Sequence, residues 1–273
     1  MPGRGIPGDF DPHVVDTIQD RLTAVERDGD VALILAVESG SRAWGFSSTD
    51  SDYDCRFLYR RRPERYLSLW PQRDVIETPL DRVYDDNGWD IGKALRLLVK
   101  GNAVAIEWPM SPIVYRDDRS VRQIVTVFAR DHADPSGVRR HYFHLATQQY
   151  ERHLATSDRW KIKSLFYVLR PIAAMRWLRH HPGHVALPMN LWDLMADADM
   201  PRNVIGIARG YAEIKASTSE AKDVASDRTL SGLFVEELSL AGHWDSEAPP
   251  DGGASMAAAD RAFQQIIAMP WDE

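Results

Sequence analysis

One cysteine in 273 residues permits no internal disulfide and no thiolate-rich zinc site, and no disulfide-linked partner is expected. No apolar run is long enough to span a bilayer, so no membrane partner is expected. The opening residues, "MPGRGIPGDFDPH", lack the apolar core of a secretory signal and read as a flexible tail over 1–12. A reducing cytoplasm is the setting these absences point to. Basic residues are outnumbered, with 33 Lys and Arg against 40 Asp and Glu. A formal net charge of −7 argues against a protein coated in positive surface for gripping long nucleic acid. It leaves room for a local basic groove, or for a nucleotide held through metal ions.

Hydrophobic residues at 44% and charged residues at 27% are ordinary values, which sets disorder aside and leaves a chain long enough for two modest domains. Val14, Ile18, Leu22 and Val25 recur at helical spacing up to Gly29. "VALILAV" (31–37) is a buried strand by its continuous apolar character, and "YDCRFLYR" (53–60) is a second strand after a turn at Gly45 and "SSTDS". A short strand around Trp89–Ile91 is expected to run into a helix burying Leu95, Leu98 and Val99. Beyond about residue 120 the segments are helical, with no convincing strand, and Pro171 is expected to kink or restart its helix. "HWDSEAPPDGGASM" is a loop before a last helix at about 256–268. The organisation expected is a mixed α/β half followed by an all-α half.

The chemistry sits in "ESGSRAWGFSSTDSDYD". Asp52 and Asp54 are two residues apart at a strand entry, so they share a face, with Cα atoms roughly 6.5–7 Å apart. Two such carboxylates repel, which raises one pKa or recruits a cation. Magnesium suits carboxylate oxygens combined with substrate phosphates, and a pair of ions serves phosphoryl transfer by steadying both attacking and leaving oxygens. Upstream, Gly40 permits close backbone approach, and Ser41 offers a hydroxyl and an N–H to a phosphate oxygen. An isolated Asp-x-Asp is ordinarily a solvated loop. Here it follows a buried strand and a Gly-Ser turn and leads straight into another strand. A third carboxylate is expected on a neighbouring strand, and Asp90 is the choice because Trp89 and Ile91 alternate around it. Asp85 and Asp86, beside Asn87-Gly88, read as turn residues.

Gly40-Ser41, ten intervening residues and then Asp52-Tyr53-Asp54 resemble the signature of the DNA polymerase β-type nucleotidyltransferase superfamily. With "RFLY", "YLSLW", "GWDIGKALRLLVKGN", "EWPMSPIVY", "FYVLRPIAAMRWL" and "EIK", the stretch from about Ala32 to Lys215 resembles the YcgL-like predicted nucleotidyltransferases. That group is also called the RNA repair pathway DNA polymerase β family. The resemblance implies an α+β fold: a nucleotidyltransferase domain over 13–120, with a short mixed sheet flanked by helices, then a helical domain over 121–273. The active cleft would lie between them. It implies that Asp52 and Asp54 bind two magnesium ions (manganese as the substitute), that Asp90 completes the metal site and helps activate the attacking hydroxyl, and that Gly40 and Ser41 hold the triphosphate. The implied reaction moves a nucleoside monophosphate from a nucleoside triphosphate, such as ATP, to an acceptor hydroxyl and releases pyrophosphate. An RNA end is the acceptor the subfamily suggests. Adenylylation of a protein or small molecule is the alternative, and a nucleotide-binding regulator without chemistry is the rival from another class.

Secondary candidates each have a plainer reading. Arg42 either contacts phosphate and orients Asp52 or forms a structural ion pair. Lys163, Tyr167 and Arg170, at i, i+4 and i+7, form either a nucleotide-binding stripe of cations and a stacking ring or a solvated polar face. Lys93 faces the cleft or pairs with a surface acid. Glu107, among apolar neighbours, supports the site from behind or is a satisfied structural group. The "RRRPER" run at 60–65 meets RNA phosphates or is simply solvated. His180, His181 and His184 in "HHPGH" read as an exposed loop rather than a metal site, and Cys55 as a small buried hydrophobe.

Overall fold

A computed structural model describes residues 5–8, 10–70, 72–79, 83–218, 222–248 and 252–271. Residues 1–4 and 9 of the expected flexible tail therefore lie outside the described residues. The chain divides into two units. The first runs up to Ala43, resumes over Asp52–Ala133 and takes in the C-terminal helix; the second consists of Trp44–Ser51 and Asp134–Pro250.

In the first unit, helix α1 (Pro12–Gly29) starts where Asp11 accepts a hydrogen bond from the His13 N–H and Pro12 supplies a pre-set φ. Strand β1 (Val31–Glu38) follows, then a single helical turn α2 (Gly40–Ala43) and strand β2 (Tyr53–Arg61). Next come α3 (Pro63–Tyr66), β3 (Val75–Glu77), β4 (Tyr84–Asp90), α4 (Ile91–Val99), α5 (Ala103–Glu107), β5 (Val114–Asp117) and α6 (Arg119–His132). The five strands form one mixed sheet in the order β3-β4-β2-β1-β5. Within it β2 and β4 run parallel and the other neighbours antiparallel. One face closes over α1, where Ile18, Leu22 and Val25 meet Cys55, Phe57 and Tyr59. Burying such side chains contributes about 1.5–3 kcal/mol each, enough to fix which face β2 turns inward.

In the second unit α7 (Pro135–His153), β6 (Arg159–Lys161), α8 (Ile162–His180), α9 (Leu191–Asp197), α10 (Arg202–Ser217), β7 (Asp223–Ala225) and α11 (Arg228–Ala241) follow one another. Strands β6 and β7 pair antiparallel, a two-stranded ladder in a region expected to hold no strand. At three residues each they are too short to show a period of two. Helix α8 is continuous through Pro171, so the helix does not restart there. Pro171 and its neighbours Leu169, Arg170, Ile172 and Ala173 are all buried, so packing on every side outweighs the lost backbone hydrogen bond. Helix α12 (Gly253–Ile267) then belongs to the first unit, where it packs on α4 and α6.

Strand β4 overturns the turn expected at 85–88. Asp85, Asp86, Asn87 and Gly88 are all paired in register with β2, opposite Asp54, Cys55, Arg56 and Phe57. The glycine belongs to the strand because a Cβ there would lie 2.0 Å from Cδ2 of the Phe57 ring. Gly88→Ala is expected to force that ring off its rotamer and cost about 2–3 kcal/mol. Denaturant unfolding of the wild type and G88A measures this, and an unchanged midpoint would show that the Phe57 contact is not a close one.

Candidate active site

The site begins where β1 ends. Gly40 has φ +57°, and a Cβ on it would lie 1.8 Å from Oδ2 of Asp54, so the turn backbone lies directly against that carboxylate. Ser39 N donates to the Asp54 carbonyl at 2.9 Å, and Asp54 N donates to Glu38 Oε1 at 3.0 Å. The Gly-Ser turn and Asp54 are thus locked together by backbone as well as side chain. Ser41 is buried beside Gly40. Asp52 is exposed just before β2, and its carbonyl accepts from Arg42 Nε at 3.2 Å. The Arg42 guanidinium lies 3.8 Å above the Tyr53 ring, so this arginine fixes the backbone leading into the acidic strand.

Asp54 and Asp85 stand opposite each other in the parallel β2–β4 pair and so point to the same face. Arg56, two residues after Asp54 and also on that face, lies between them. Its Nη2 is 3.0 Å from Asp54 Oδ1 and 2.6 Å from Asp85 Oδ2. Asp90 is not part of this group. It pairs with Tyr59, five positions further along β2, or roughly 16 Å away at strand spacing, and alternation turns it to the other face. Its carboxylate accepts from Tyr66 Oη at 2.9 Å and from Gly92 N at 2.8 Å, making it the N-cap of α4. Burial pushes the Asp90 pKa up, against the pull of those two hydrogen bonds. Asp90, expected as the third acid, therefore does not stand beside Asp54; Asp85 does. An aspartate heading a helix has a capping duty that fixes its side chain locally.

Glu38 is a site residue that spacing did not reveal. It is fully buried; Oε2 accepts from Tyr115 Oη at 2.7 Å while Oε1 holds the Asp54 amide. Burial raises its pKa from 4.5 to about 7, and the nearby Asp54 charge adds to the rise. Burial likewise pushes the Tyr115 hydroxyl well up, so it stays a donor.

Among the described residues, no three His, Cys, Asp or Glu side chains stand close enough to make a finished cation site. Asp54 and Asp85 nevertheless converge on one cationic group, and two carboxylates completed by substrate oxygens and water suit a magnesium-type ion.

Lys163, Tyr167 and Arg170 lie on α8 in the second unit. Lys163 Nζ is 5.8 Å from the Tyr167 ring centroid, Tyr167 meets Trp44 edge-on at 5.7 Å, and the Arg170 guanidinium lies 4.5 Å from the Trp44 ring. Arg170 is buried. The stripe is thus a cation–aromatic cluster around Trp44 rather than a solvated face. Lys215, also buried, reaches Ser48 Oγ at 3.2 Å in the same unit. Lys93 pairs with Asp74 at 3.2 Å. The arginine run is split in its uses: Arg60 is buried and donates to the Met269 carbonyl at 2.8 Å, whereas Arg62 and Arg65 stand 3.5 Å from Asp30. His181 stacks on Trp177 at 4.3 Å.

Burial of Glu38 links its ionisation to folding. Its folded pKa lies above the unfolded value, so its contribution is fully present below pH 4.5 and is lost as pH rises through about 7. The full loss is about 3 kcal/mol. Glu38→Gln keeps an acceptor and cannot ionise. Its stability relative to wild type, followed by denaturant unfolding from pH 4 to 9, is expected to improve across that window and level off above it. A pH-independent difference would place the Glu38 charge outside the buried pocket.

Comparison with known proteins adds three findings. The family described as the RNA repair pathway DNA polymerase beta family matches residues 14–265. The uncharacterized protein YcgL of Bacillus subtilis (strain 168) is 41% identical over 164 residues, 60% of this chain; the chain spans 63% of the length of that curated relative. A nucleotidyltransferase-like protein from Exiguobacterium sibiricum 255-15, solved by crystallography, aligns over 93% of this chain and 82% of its own. That alignment has 12% identity and a TM-score of 0.30, a superposition too loose to bear on the chemistry. With the Gly-Ser turn seated on Asp54 and the match running through nearly the whole sequence, the chain belongs to the RNA repair pathway DNA polymerase beta family.

Proposed function

We propose that the first unit is a metal-dependent nucleotidyltransferase that transfers a nucleoside monophosphate to a hydroxyl at an RNA end. The observation that supports this best is the geometry at Gly40. A bare backbone turn lies against the carboxylate of Asp54, with Asp85 opposite it in register. A turn of that kind offers N–H groups to phosphate oxygens beside carboxylates able to hold a cation. The RNA end rests on the family's description alone, and the cytoplasm as the working compartment on the absences noted above.

In this reading Gly40 and Ser41 receive the triphosphate. Asp54 and Asp85 hold magnesium, or manganese in its place, with Asp52 contributing from the strand entry. The bound ion would supply charge neutralisation at the phosphates and a lowered pKa for the attacking hydroxyl. The acceptor oxygen forms a bond to the α-phosphorus and the bond from that phosphorus to the bridging oxygen breaks. Pyrophosphate leaves with the electron pair, and the hydroxyl proton passes to a carboxylate of the site. The residues' part is to position and to stabilise charge. Lys163, Tyr167 and Arg170 are proposed as the second unit's nucleotide contacts, a cation and a ring supported by a buried guanidinium.

The test is incubation with labelled nucleoside triphosphates, magnesium and either RNA or cell extract. Label is expected in RNA. Asp54→Asn and Asp85→Asn should each lower the rate by about 100-fold or more. Asp90→Asn, which keeps a capping side chain, should stay within a few-fold. Label in a protein or small metabolite instead would move the assignment to adenylylation. No label in any acceptor, with Asp54→Asn still supporting the protein's cellular task, would end the enzymatic reading.

A further inference from the structure

Arg56 belongs to neither the phosphate turn nor the acidic set, yet it lies between the two carboxylates proposed to hold the ion. One nitrogen, Nη2, bridges Asp54 Oδ1 at 3.0 Å and Asp85 Oδ2 at 2.6 Å. The other, Nη1, donates to the backbone carbonyls of Asp85 and Cys55, which ties the guanidinium to both strands. Its side chain is 14% exposed, against 23% for Asp54 and 36% for Asp85, so the arginine lies deeper than the acids it joins. Two parallel strands that place aspartates directly opposite each other generate a repulsion that must be met on that face. Arg56 meets it with a planar fork that suits carboxylate oxygens.

We infer that Arg56 is the resident counter-ion of the Asp54–Asp85 pair, holding the two carboxylates together until a divalent ion takes their oxygens and displaces the guanidinium. This rests on the nucleotidyltransferase reading for the identity of the ion. Exchange follows from the stereochemistry of the pair. Asp54 Oδ1 and Asp85 Oδ2 face a common point, and the point is already filled by a nitrogen. An ion that uses both oxygens must take that nitrogen's place, because two cations cannot share so small a space without strong repulsion. Arg56 is then a positioning residue. It keeps the acids correctly spaced and makes cation binding an exchange rather than a simple addition. The carbonyls of Cys55 and Asp85 would hold the displaced fork near its starting place, ready to return when the ion leaves.

The test uses the full chain and Mn²⁺ alone as probe. Arg56→Met removes the charge and keeps the length of the side chain. Its melting temperature without metal is expected to fall, and the rise on adding Mn²⁺ to exceed that of the wild type. Its Mn²⁺ affinity by electron paramagnetic resonance should be about tenfold tighter. Equal or weaker Mn²⁺ binding by R56M would overturn the inference, since the guanidinium would then be assisting the ion. Should R56M fail to fold, the wild type carries the test. Its Arg56 Nε–H resonance, followed by ¹⁵N NMR on titration with diamagnetic Mg²⁺, should move as the ion enters and stay fixed in Asp85→Asn. A resonance that does not move while Mg²⁺ binds would equally overturn the exchange. If neither wild type nor R56M binds Mn²⁺, the acidic pair holds no ion, and the metal-dependent reading falls together with the inference. If the wild type binds Mn²⁺ and R56M binds no tighter, only the inference falls.

Discussion

The candidate site depends on one contact, the bare backbone of Gly40 against the carboxylate of Asp54. The left-handed φ of Gly40 brings the chain round so tightly that a methyl group would occupy the position of Asp54 Oδ2. Everything nearby serves to keep that approach in place. Ser39 and Glu38 hold the Asp54 backbone from the β1 side, and Tyr115 on β5 holds Glu38. Three adjacent strands therefore contribute to the position of a single carboxylate, which is how a sheet achieves a precision that a loop cannot.

The sheet also sorts charge by face. Asp85 and Asp86 are consecutive, so the pleat sends them to opposite sides. Asp85 joins Asp54 and Arg56, while Asp86 is buried on the α1 side, paired with Arg21. One acid thus remains at a partly open, chemically available position, and its neighbour anchors a helix. Two adjacent residues of one type acquire different work from strand geometry alone.

Much of the fold was legible in the sequence. The spacing of Ile18, Leu22 and Val25 and the continuous apolar run of β1 are direct marks of burial, and both elements stand where the pattern puts them. Asp54 beside the Gly-Ser turn was equally legible, because close backbone approach needs glycine and leaves a recognisable spacing. Asp85 was hidden for a physical reason. Asn87-Gly88 carries the chemistry of a turn, and only the register with β2, a property of two distant segments, reveals a strand. The same information would have removed Asp90, whose place before "IGKALRLLV" is an ordinary helix-capping signal. The ladder of β6 and β7, the unbroken α8 and the packing of α12 in the first unit all depend on tertiary partners. No local pattern records them.

Cys55 offers a practical consequence. It lies directly after Asp54 with its side chain on the α1 face, fully buried, and burial among acidic neighbours holds its thiol in the protonated form. The chain therefore comes with no accessible thiol to compete for a thiol reagent. A cysteine introduced at any exposed position would take a maleimide fluorophore or a nitroxide alone. Labelling at a chosen surface position then needs no prior deletion of the native residue.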